Sequence, residues 1–585
     1  MTRTARFGPL LSADGVTFRL WAPAARHVAL TRDGTVSPMP RKENGWYRLF
    51  VPNASAGCRY AFRIDDKIDV PDPASHFQPE DIDGPSEVIN HDYDWTADQW
   101  KGQPWESSVF LELHVGTFTP EGTYRAIIGK LDHLVETGIT AIELMPLADF
   151  PGRWNWGYDG VLPYAPDHHY GRPDDLKALI DAAHRRGLMV FLDVVYNHFG
   201  PDGNYLGCYA PACFTEAQTP WGCAIDYRVP EVRAFAIDNA LHWLHHYRFD
   251  GLRLDAVHAI LIPGEPDLLH DLSIAVAALA REQDRTIHLV LENDDNCAAL
   301  LDPAGRPSSY RAQWNDDFHH AWHVLLTGET AGYYRDYQDP TAAIARALAE
   351  GFVYQGEPSA HREGRARGKP SRHLPATAFV NFLQNHDQIG NRARGERLTT
   401  LAAPEKIVCA LSVLLLTPAP PLLFMGEEWG ADEPFPFFCD FSGDLADAVR
   451  AGRRREFAAA YASAQAVPDP LTQTTVDSAR LDWSMLARSP YRERLALARD
   501  LLAIRHKEIV PIIRRLAAGR ATATVHETAL NAHWPGKPSL QILANLSERS
   551  VPTPGISVSS RWIWGGAPKD KMGPWSVHAA IEAAP

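Results

Sequence analysis

The chain has 585 residues, 45% hydrophobic and 22% charged, the make-up of an ordinary soluble globular protein with several domains and a sizeable core. A formal net charge of −15 argues against a nucleic-acid partner and against an anionic membrane surface, since both need a basic face. No apolar run of about 20 residues is present for a membrane span; the longest, residues 407–424, is broken by Pro418, Pro420 and Pro421.

The chain opens with charges at Arg3 and Arg6 but no apolar run of signal-peptide length, so a cytoplasmic location is expected. Residues 1 to about 95 contain short strand-like pieces at Val16–Trp21, His27–Thr31, Gly45–Phe50 and Tyr60–Ile64, separated by turn residues. That pattern predicts a small β-sandwich. Pro71, Pro73, Pro79 and Pro85 then mark an extended connection. Trp95, Trp100 and Trp105 follow, either packing this module on its neighbour or touching a ligand; packing is the expectation.

From residue 96 to about 510 the pattern alternates between strands and helices. Strands are predicted at Val109–His114, Ala141–Met145, Met189–Val195, Gly251–Asp255, Ile287–Leu291, Tyr310–Trp314, Ala378–Leu383 and Leu422–Met425. Helices are predicted at Tyr124–Thr137, Asp174–Arg186, Pro230–Tyr247, Asp267–Arg281 and Tyr491–Arg505. Eight βα units predict a parallel (β/α)₈ TIM barrel with long loop insertions, an α/β fold. The Arg-, Gly- and Lys-rich stretch His361–Arg372 reads as a solvated loop. Residues 511–585 return to short strands, including Leu540–Ala544 and Arg561–Trp564, and predict a small C-terminal β domain. Seven Cys are scattered over the chain with no Cys-x-x-Cys pair, so zinc spacing is absent. Cys208, Cys213 and Cys223 allow a local disulfide, but free thiols in a reducing compartment are the favoured reading.

Barrel chemistry sits just past the C-terminal ends of the strands. The polar sets there are Asp193, Asn197 and His198; Arg253, Asp255 and His258; Glu292, Asn293 and Asp294; and Asn385, His386 and Asp387. Arg253 and Asp255 are two apart on a strand and share a face. An Arg beside a carboxylate favours its charged form, and a fixed anion can act as a nucleophile. The bland alternative is a helix cap with a structural Arg partner. Asp255, Glu292 and Asp387 supply three carboxylates from three strands. Two carboxylates facing one substrate suit retaining glycoside hydrolysis, at a separation of about 5–5.5 Å. A metal site competes, because His, Asp and Glu are also ligands. No His-x-His or His-Glu-x-x-His spacing accompanies these strands, and no cofactor or metal is expected. Asp294 and Trp221 are plausible neighbours of the cleft, with loop packing an equal reading.

Asp193-Val-Val-Tyr-Asn-His198, Gly251-Leu-Arg-Leu-Asp255, the Glu292 strand end and Asn385-His-Asp387 resemble, in the same order, the four sequence regions of the α-amylase superfamily of glycoside hydrolases. The resemblance covers roughly residues 105–505. It implies a retaining mechanism with Asp255 as nucleophile and Glu292 as general acid/base. Asp387 matches the third carboxylate, which holds sugar hydroxyls. Arg253 would orient Asp255. His198, His386 and Asp193 would line the central sugar subsite, and Tyr158 in Trp156-Gly-Tyr-Asp-Gly160 matches its aromatic platform, the alternative for Tyr158 being core packing. Asn197 resembles a position near the calcium site of many amylases, but no set of carboxylates accompanies it. The N-terminal β module fits the branch that acts near α-1,6 linkages or on capped chains. The stretches His114–Tyr124, Pro151–Gly160, Gln313–His320, Phe382–Asn391 and Pro434–Phe441 are similar to those of members acting on trehalose-capped chains. The implied substrate is an α-glucan oligosaccharide, maltooligosyl trehalose, cut at the α-1,4 bond beside the trehalose. The alternative is branching or debranching at α-1,6 bonds. A sugar-binding protein without catalysis would not need the carboxylate trio.

Overall fold

The structure is a computed structural model that describes residues 6–219, 221–260, 267–301, 309–458, 467–555 and 560–582. The first five residues, on which the reading of the N-terminus as leaderless partly rests, lie outside that set.

The N-terminal strands form two antiparallel sheets. One contains Leu10–Ser12, Gly15–Trp21 and Trp46–Pro52. The other contains Thr35–Pro38, Val28–Arg32, Arg59–Ile64 and Ile68–Val70. Tyr60, Phe62 and Ile64 alternate inward, as period two requires, and the Tyr60 ring lies 4.6 Å from that of Phe18. This module rests on the barrel through Phe7 against Phe235, 5.1 Å between ring centroids.

The barrel closes from eight parallel strands: β1 (Phe110–Leu113), β2 (Ala141–Leu144), β3 (Met189–Val194), β4 (Gly251–Leu254), β5 (His288–Leu291), β6 (Ala312–Trp314), β7 (Phe379–Phe382) and β8 (Pro421–Phe424). β8 pairs with β1 and seals the sheet. The lower interior is apolar, a cluster of Phe110, Ala141, Phe191, Val290, Ala312 and Val380 with their neighbours, plugged from below by buried Trp105. Gly251 opens β4 because a Cβ there would stand 2.2 Å from the Phe191 ring. Trp100 stacks on His184 at 4.7 Å and donates to Asp250 at 2.7 Å, so this Trp packs the connection on the barrel, as does Trp105.

Two expectations change. The predicted helix 124–137 is two helices, Tyr124–Ile128 and Leu131–Thr137, interrupted where Gly129 caps the first. A Gly in a helix interior costs about 1 kcal/mol relative to Ala, which makes this an easy place to break. The predicted end at Thr137 holds, and Gly138 caps it with a left-handed φ of 100°. The stretch 361–372 is not simply solvated. Arg367 is buried against Asp317 at 2.8 Å, and Arg362 pairs with Asp294 and Asp295 at 2.5 and 2.6 Å. Its cations neutralise carboxylates above β5 and β6, a long-range demand that local composition does not reveal. The seven cysteines are all free thiols, so no disulfide joins Cys208, Cys213 or Cys223.

After the barrel helix Tyr491–Ile504, a five-stranded antiparallel sheet forms from Thr522–His526, Ala529–Trp534, Ser539–Asn545, Val577–Glu582 and Ser560–Trp564, in that spatial order. Among the described residues, no helix is long and apolar enough to cross a membrane.

Candidate active site

Above the apolar floor the barrel interior turns ionic. Side chains two apart on a strand point the same way, so Glu112 stands above Phe110, Glu143 above Ala141, Asp193 above Phe191 and Arg253 above Gly251. Glu112 and Glu143 are in register on β1 and β2, and Asp193 and Arg253 are in register on β3 and β4. All four are buried. Arg253 is the cation that makes this layer tolerable. Its Nη1 donates to Asp193 Oδ2 and to Asp255 Oδ1, both at 2.7 Å. Its Nη2 lies 3.8 Å from Glu292 Oε2. The guanidinium carbon lies over the Trp314 ring of β6, 4.2 Å from the centroid, a cation–π contact.

Asp255 and Glu292 follow the last residues of β4 and β5, and one guanidinium ties them together. Past Asp255 the backbone turns sharply. Ala256 adopts a left-handed conformation, φ 42° and ψ 46°, uncommon for a residue with a side chain. Burial raises Glu292 well above the usual carboxylate range. Arg253 pulls the other way, and the negative charges of Asp255, Asp316 and Asp387 add to the rise. Asp193 is raised to about 6 by burial, against the pull of Arg253.

Asp387 lies in the short helix His386–Gly390 just past β7. Asn385 caps that helix by accepting from the Asp387 amide at 3.0 Å, which turns the segment away from the strand. The Asp387 side chain is about half exposed, the most open of the three carboxylates. His386 is buried, with Nδ1 hydrogen-bonded to Glu112 and Nε2 3.5 Å from Asp387 Oδ1. Burial lowers the affinity of His386 for its proton, but Glu112 and Asp387 outweigh this and hold it at about 9.

Tyr158 comes from the long β2–β3 connection. Gly157 lets that backbone pass within reach of β2: at φ 105°, a Cβ would stand 2.1 Å from the Pro146 carbonyl oxygen. The Tyr158 hydroxyl donates to Asp193 Oδ2 at 2.5 Å, and its ring stacks on His386 at 5.1 Å and 24°. His198 Nε2 is 2.8 Å from the Tyr158 carbonyl oxygen. Trp221, at 44% exposure one of the most open large apolar side chains, lies flat on His198, 4.5 Å away and tilted by 13°. The structure therefore brings together Asp193, Arg253, Asp255, Glu292, Asp387, His386, Tyr158 and His198. Asp294 is taken up by Arg362 and Arg367.

Glu112, Glu143, Asp316 and Trp314 join the site without having been singled out. Asp316 is half-buried and raised to about 7 by burial and by Asp294, Asp387 and Asp317, against Arg367. The signal for Glu112 and Glu143 was present: each is the one charged residue in an otherwise apolar buried strand. Among the described residues, the convergent groups of three or more His, Cys, Asp or Glu lie elsewhere, at His76, His91 and His242 and at Asp167, His168 and His169.

Residues 83–207 match the family model for the α-amylase catalytic domain, and residues 6–76 match carbohydrate-binding module 48, the isoamylase N-terminal domain. Malto-oligosyltrehalose trehalohydrolase from Deinococcus radiodurans is 44% identical over 506 residues, 86% of this chain and 83% of the relative. The enzyme of that name from Saccharolobus solfataricus is 41% identical over 82% of this chain and 84% of its own. The crystal structure of a putative α-amylase from Salmonella typhimurium superposes with a TM-score of 0.94 at 44% identity, covering 98% of this chain and 99% of that one. With a carboxylate-lined (β/α)₈ barrel and identities above 40% over most of both sequences, the chain belongs to the malto-oligosyltrehalose trehalohydrolase family of α-amylase-type glycoside hydrolases.

Proposed function

We propose that the protein hydrolyses the α-1,4-glucosidic bond beside the terminal trehalose of maltooligosyl trehalose, with retention of configuration. The observation that carries the mechanism is the shared guanidinium. Arg253 bonds Asp255 directly at 2.7 Å but reaches Glu292 only at 3.8 Å. The first carboxylate is thereby fixed in place by a direct charged hydrogen bond, and the second, raised by burial, keeps a proton.

In the first step the Asp255 carboxylate bonds to the anomeric carbon of the glucosyl unit, and Glu292 gives its proton to the glycosidic oxygen. The C–O bond breaks and trehalose leaves. Water then attacks the same carbon while the Glu292 carboxylate takes a proton from it, which frees the maltooligosaccharide and returns Asp255 to its carboxylate. Asp387, the half-exposed carboxylate, accepts hydrogen bonds from sugar hydroxyls. Arg253 and Asp193 set the position of Asp255. Tyr158, held by Asp193 and His386, presents an aromatic face to the sugar, and His198 and His386 line the same subsite.

The test is a product assay on two substrates, a linear maltooligosaccharide and the same chain ending in trehalose. Rapid release of free trehalose from the second and slow cutting of the first is expected. A change in the α-1,6 content of branched glucan, with no trehalose released, would replace this reading with a branching or debranching one.

A further inference from the structure

The stretch Gln313–His320 leaves the end of β6 and enters the helix Asp316–Thr327 with two aspartates side by side. The fold treats them differently. Asp317 is fully buried and its carboxylate is filled: Oδ1 accepts from Tyr337 and Arg367, and Oδ2 from Asn296 and from the Val353 and Tyr354 amides. Asp316 is half-buried. A carboxyl group offers about four acceptor positions. Among the described residues the one hydrogen bond to Asp316 comes from Gln388 Nε2, 3.3 Å from Oδ1. Arg367, whose charge reaches Asp316, is bonded to Asp317 and Asp294 instead. Asp316 thus keeps acceptor capacity that the protein itself does not use, and the hydroxyls of a sugar are donors of the matching kind.

The position of Asp316 says which part of the substrate it meets. Asp255, Glu292, Asp316 and Asp387 follow β4, β5, β6 and β7, which are neighbouring strands of the barrel. Asp316 adds its charge to the field at Glu292 and feels that of Asp387, and Tyr333 feels both. Gln388, which bonds Asp316, directly follows Asp387, and its Oε1 accepts from the Asn385 amide at 3.1 Å. Asp316 therefore stands in the wall between the acid and the third carboxylate. In the closed order of strands β6 lies across the barrel from β2, whose connection to β3 carries Tyr158. With the glucosyl unit against Tyr158, the group beyond the oxygen that Glu292 protonates lies toward β5 and β6.

We propose that Asp316 recognises the leaving group, its carboxyl oxygens accepting hydrogen bonds from hydroxyls of the departing trehalose. This assignment rests on the hydrolytic reaction proposed above. No bond forms to Asp316 and no proton passes through it. Contacts on that side hold the glycosidic oxygen in line with Glu292. They therefore act on substrates whose leaving group is a sugar and are silent for a leaving group without hydroxyls.

The experiment compares the full-length wild type with Asp316→Ala and Asp316→Asn on two substrates that share a glycosyl part, maltotriosyl trehalose and α-maltotriosyl fluoride. Fluoride departs with little help from a general acid and puts no sugar on the leaving-group side. Asp316→Ala is expected to lose about tenfold or more in kcat/KM on maltotriosyl trehalose, while its loss on the fluoride stays within about twofold. Asp316→Asn, which keeps one carbonyl acceptor, is expected to fall between the wild type and the Ala variant on maltotriosyl trehalose. Free trehalose, added as an inhibitor of fluoride hydrolysis, reads the same contact without the sugar leaving step, and its inhibition constant is expected to rise by a similar factor in Asp316→Ala. Equal losses on the two substrates overturn the proposal, since they would make Asp316 a support of the carboxylate trio or of the fold. Wild-type kcat/KM of Asp316→Ala on maltotriosyl trehalose overturns this assignment alone. A wild type that cleaves the fluoride but releases no trehalose overturns the hydrolytic reading as well.

Discussion

The backbone amide of Ala256 donates to Oε2 of Glu292 across 2.7 Å. The residue after one carboxylate thus holds the other, and the left-handed turn at Ala256 aims that amide. Oε2, anchored by this amide, also faces Arg253 at 3.8 Å. A general acid must be protonated in the free enzyme, so kcat/KM falls as pH rises through the Glu292 pKa. Burial and three neighbouring carboxylates place that limb above the ordinary value of 4.5. Glu292→Gln is expected to erase the limb and lower kcat by about 10³-fold or more while oligosaccharide still binds by calorimetry. A wild-type limb centred at or below 4.5 would sink the assignment.

Asp255 lines the cleft and is anchored by one side-chain bond to Arg253. Replacing it by Ala removes the proposed nucleophile without opening the core. Turnover is expected to fall by about 10⁴-fold or more, with an unchanged far-ultraviolet circular dichroism spectrum. Activity within tenfold of wild type would end its role.

Arg253→Lys keeps the charge but not the fork. One ammonium cannot reach Asp193, Asp255 and Glu292 at once. The variant is expected to fold, since the buried layer keeps a cation, and to lose about 10²-fold or more in kcat with a smaller change in KM. Arg253→Ala would leave Asp193 buried without its cation, at a cost of about 3–5 kcal/mol measured by urea unfolding. Similar stability of the Ala and Lys variants would show that the charge layer does not need this residue.

The eight strands were legible because parallel strands covered on both faces read as apolar runs, as in Met-Val-Phe-Leu from Met189. The carboxylate trio was legible because each member follows such a run. Glu112 and Glu143 escaped because attention to strand ends passes over a charge inside a strand, and their partners lie far away in sequence; His386 is 274 residues from Glu112. The part played by His361–Arg372 was hidden for the same reason. Arg362 and Arg367 look solvated until Asp294, Asp295 and Asp317 are folded beneath them. Trp221 was left open between cleft and loop packing, and only its stacking on His198 places it beside the site.

Trp221 sits on a hairpin, Phe214–Thr219 with Gly222–Ile225, with its ring face open beyond His198. An exposed flat aromatic next to the proposed sugar subsite is suited to stacking on a sugar face. It touches none of the three carboxylates, so Trp221→Ala is expected to raise KM by about 2- to 10-fold and to spare kcat. A matching fall in kcat at constant KM would mean that the hairpin shapes the reacting centre instead.

The Glu112–His386 pair makes stability depend on pH with a definite sign. Burial alone would lower the histidine, yet Glu112 and Asp387 raise it to about 9 from an ordinary 6.5. The folded protein therefore holds a proton that the unfolded chain releases. The stabilisation is fully present below pH 6.5 and is lost as pH rises toward 9. A difference of that size corresponds to on the order of 3 kcal/mol. Glu112→Gln removes the main anion, so the folded histidine returns toward its ordinary value. Urea unfolding of both proteins at several pH values checks this. The wild type is expected to exceed the variant most near pH 6, with the gap closing as alkali discharges the imidazolium. A gap that stays constant or widens toward pH 9 would mean that His386 is neutral in the folded protein, leaving Glu112 to serve the fold through its hydrogen bonds rather than its charge.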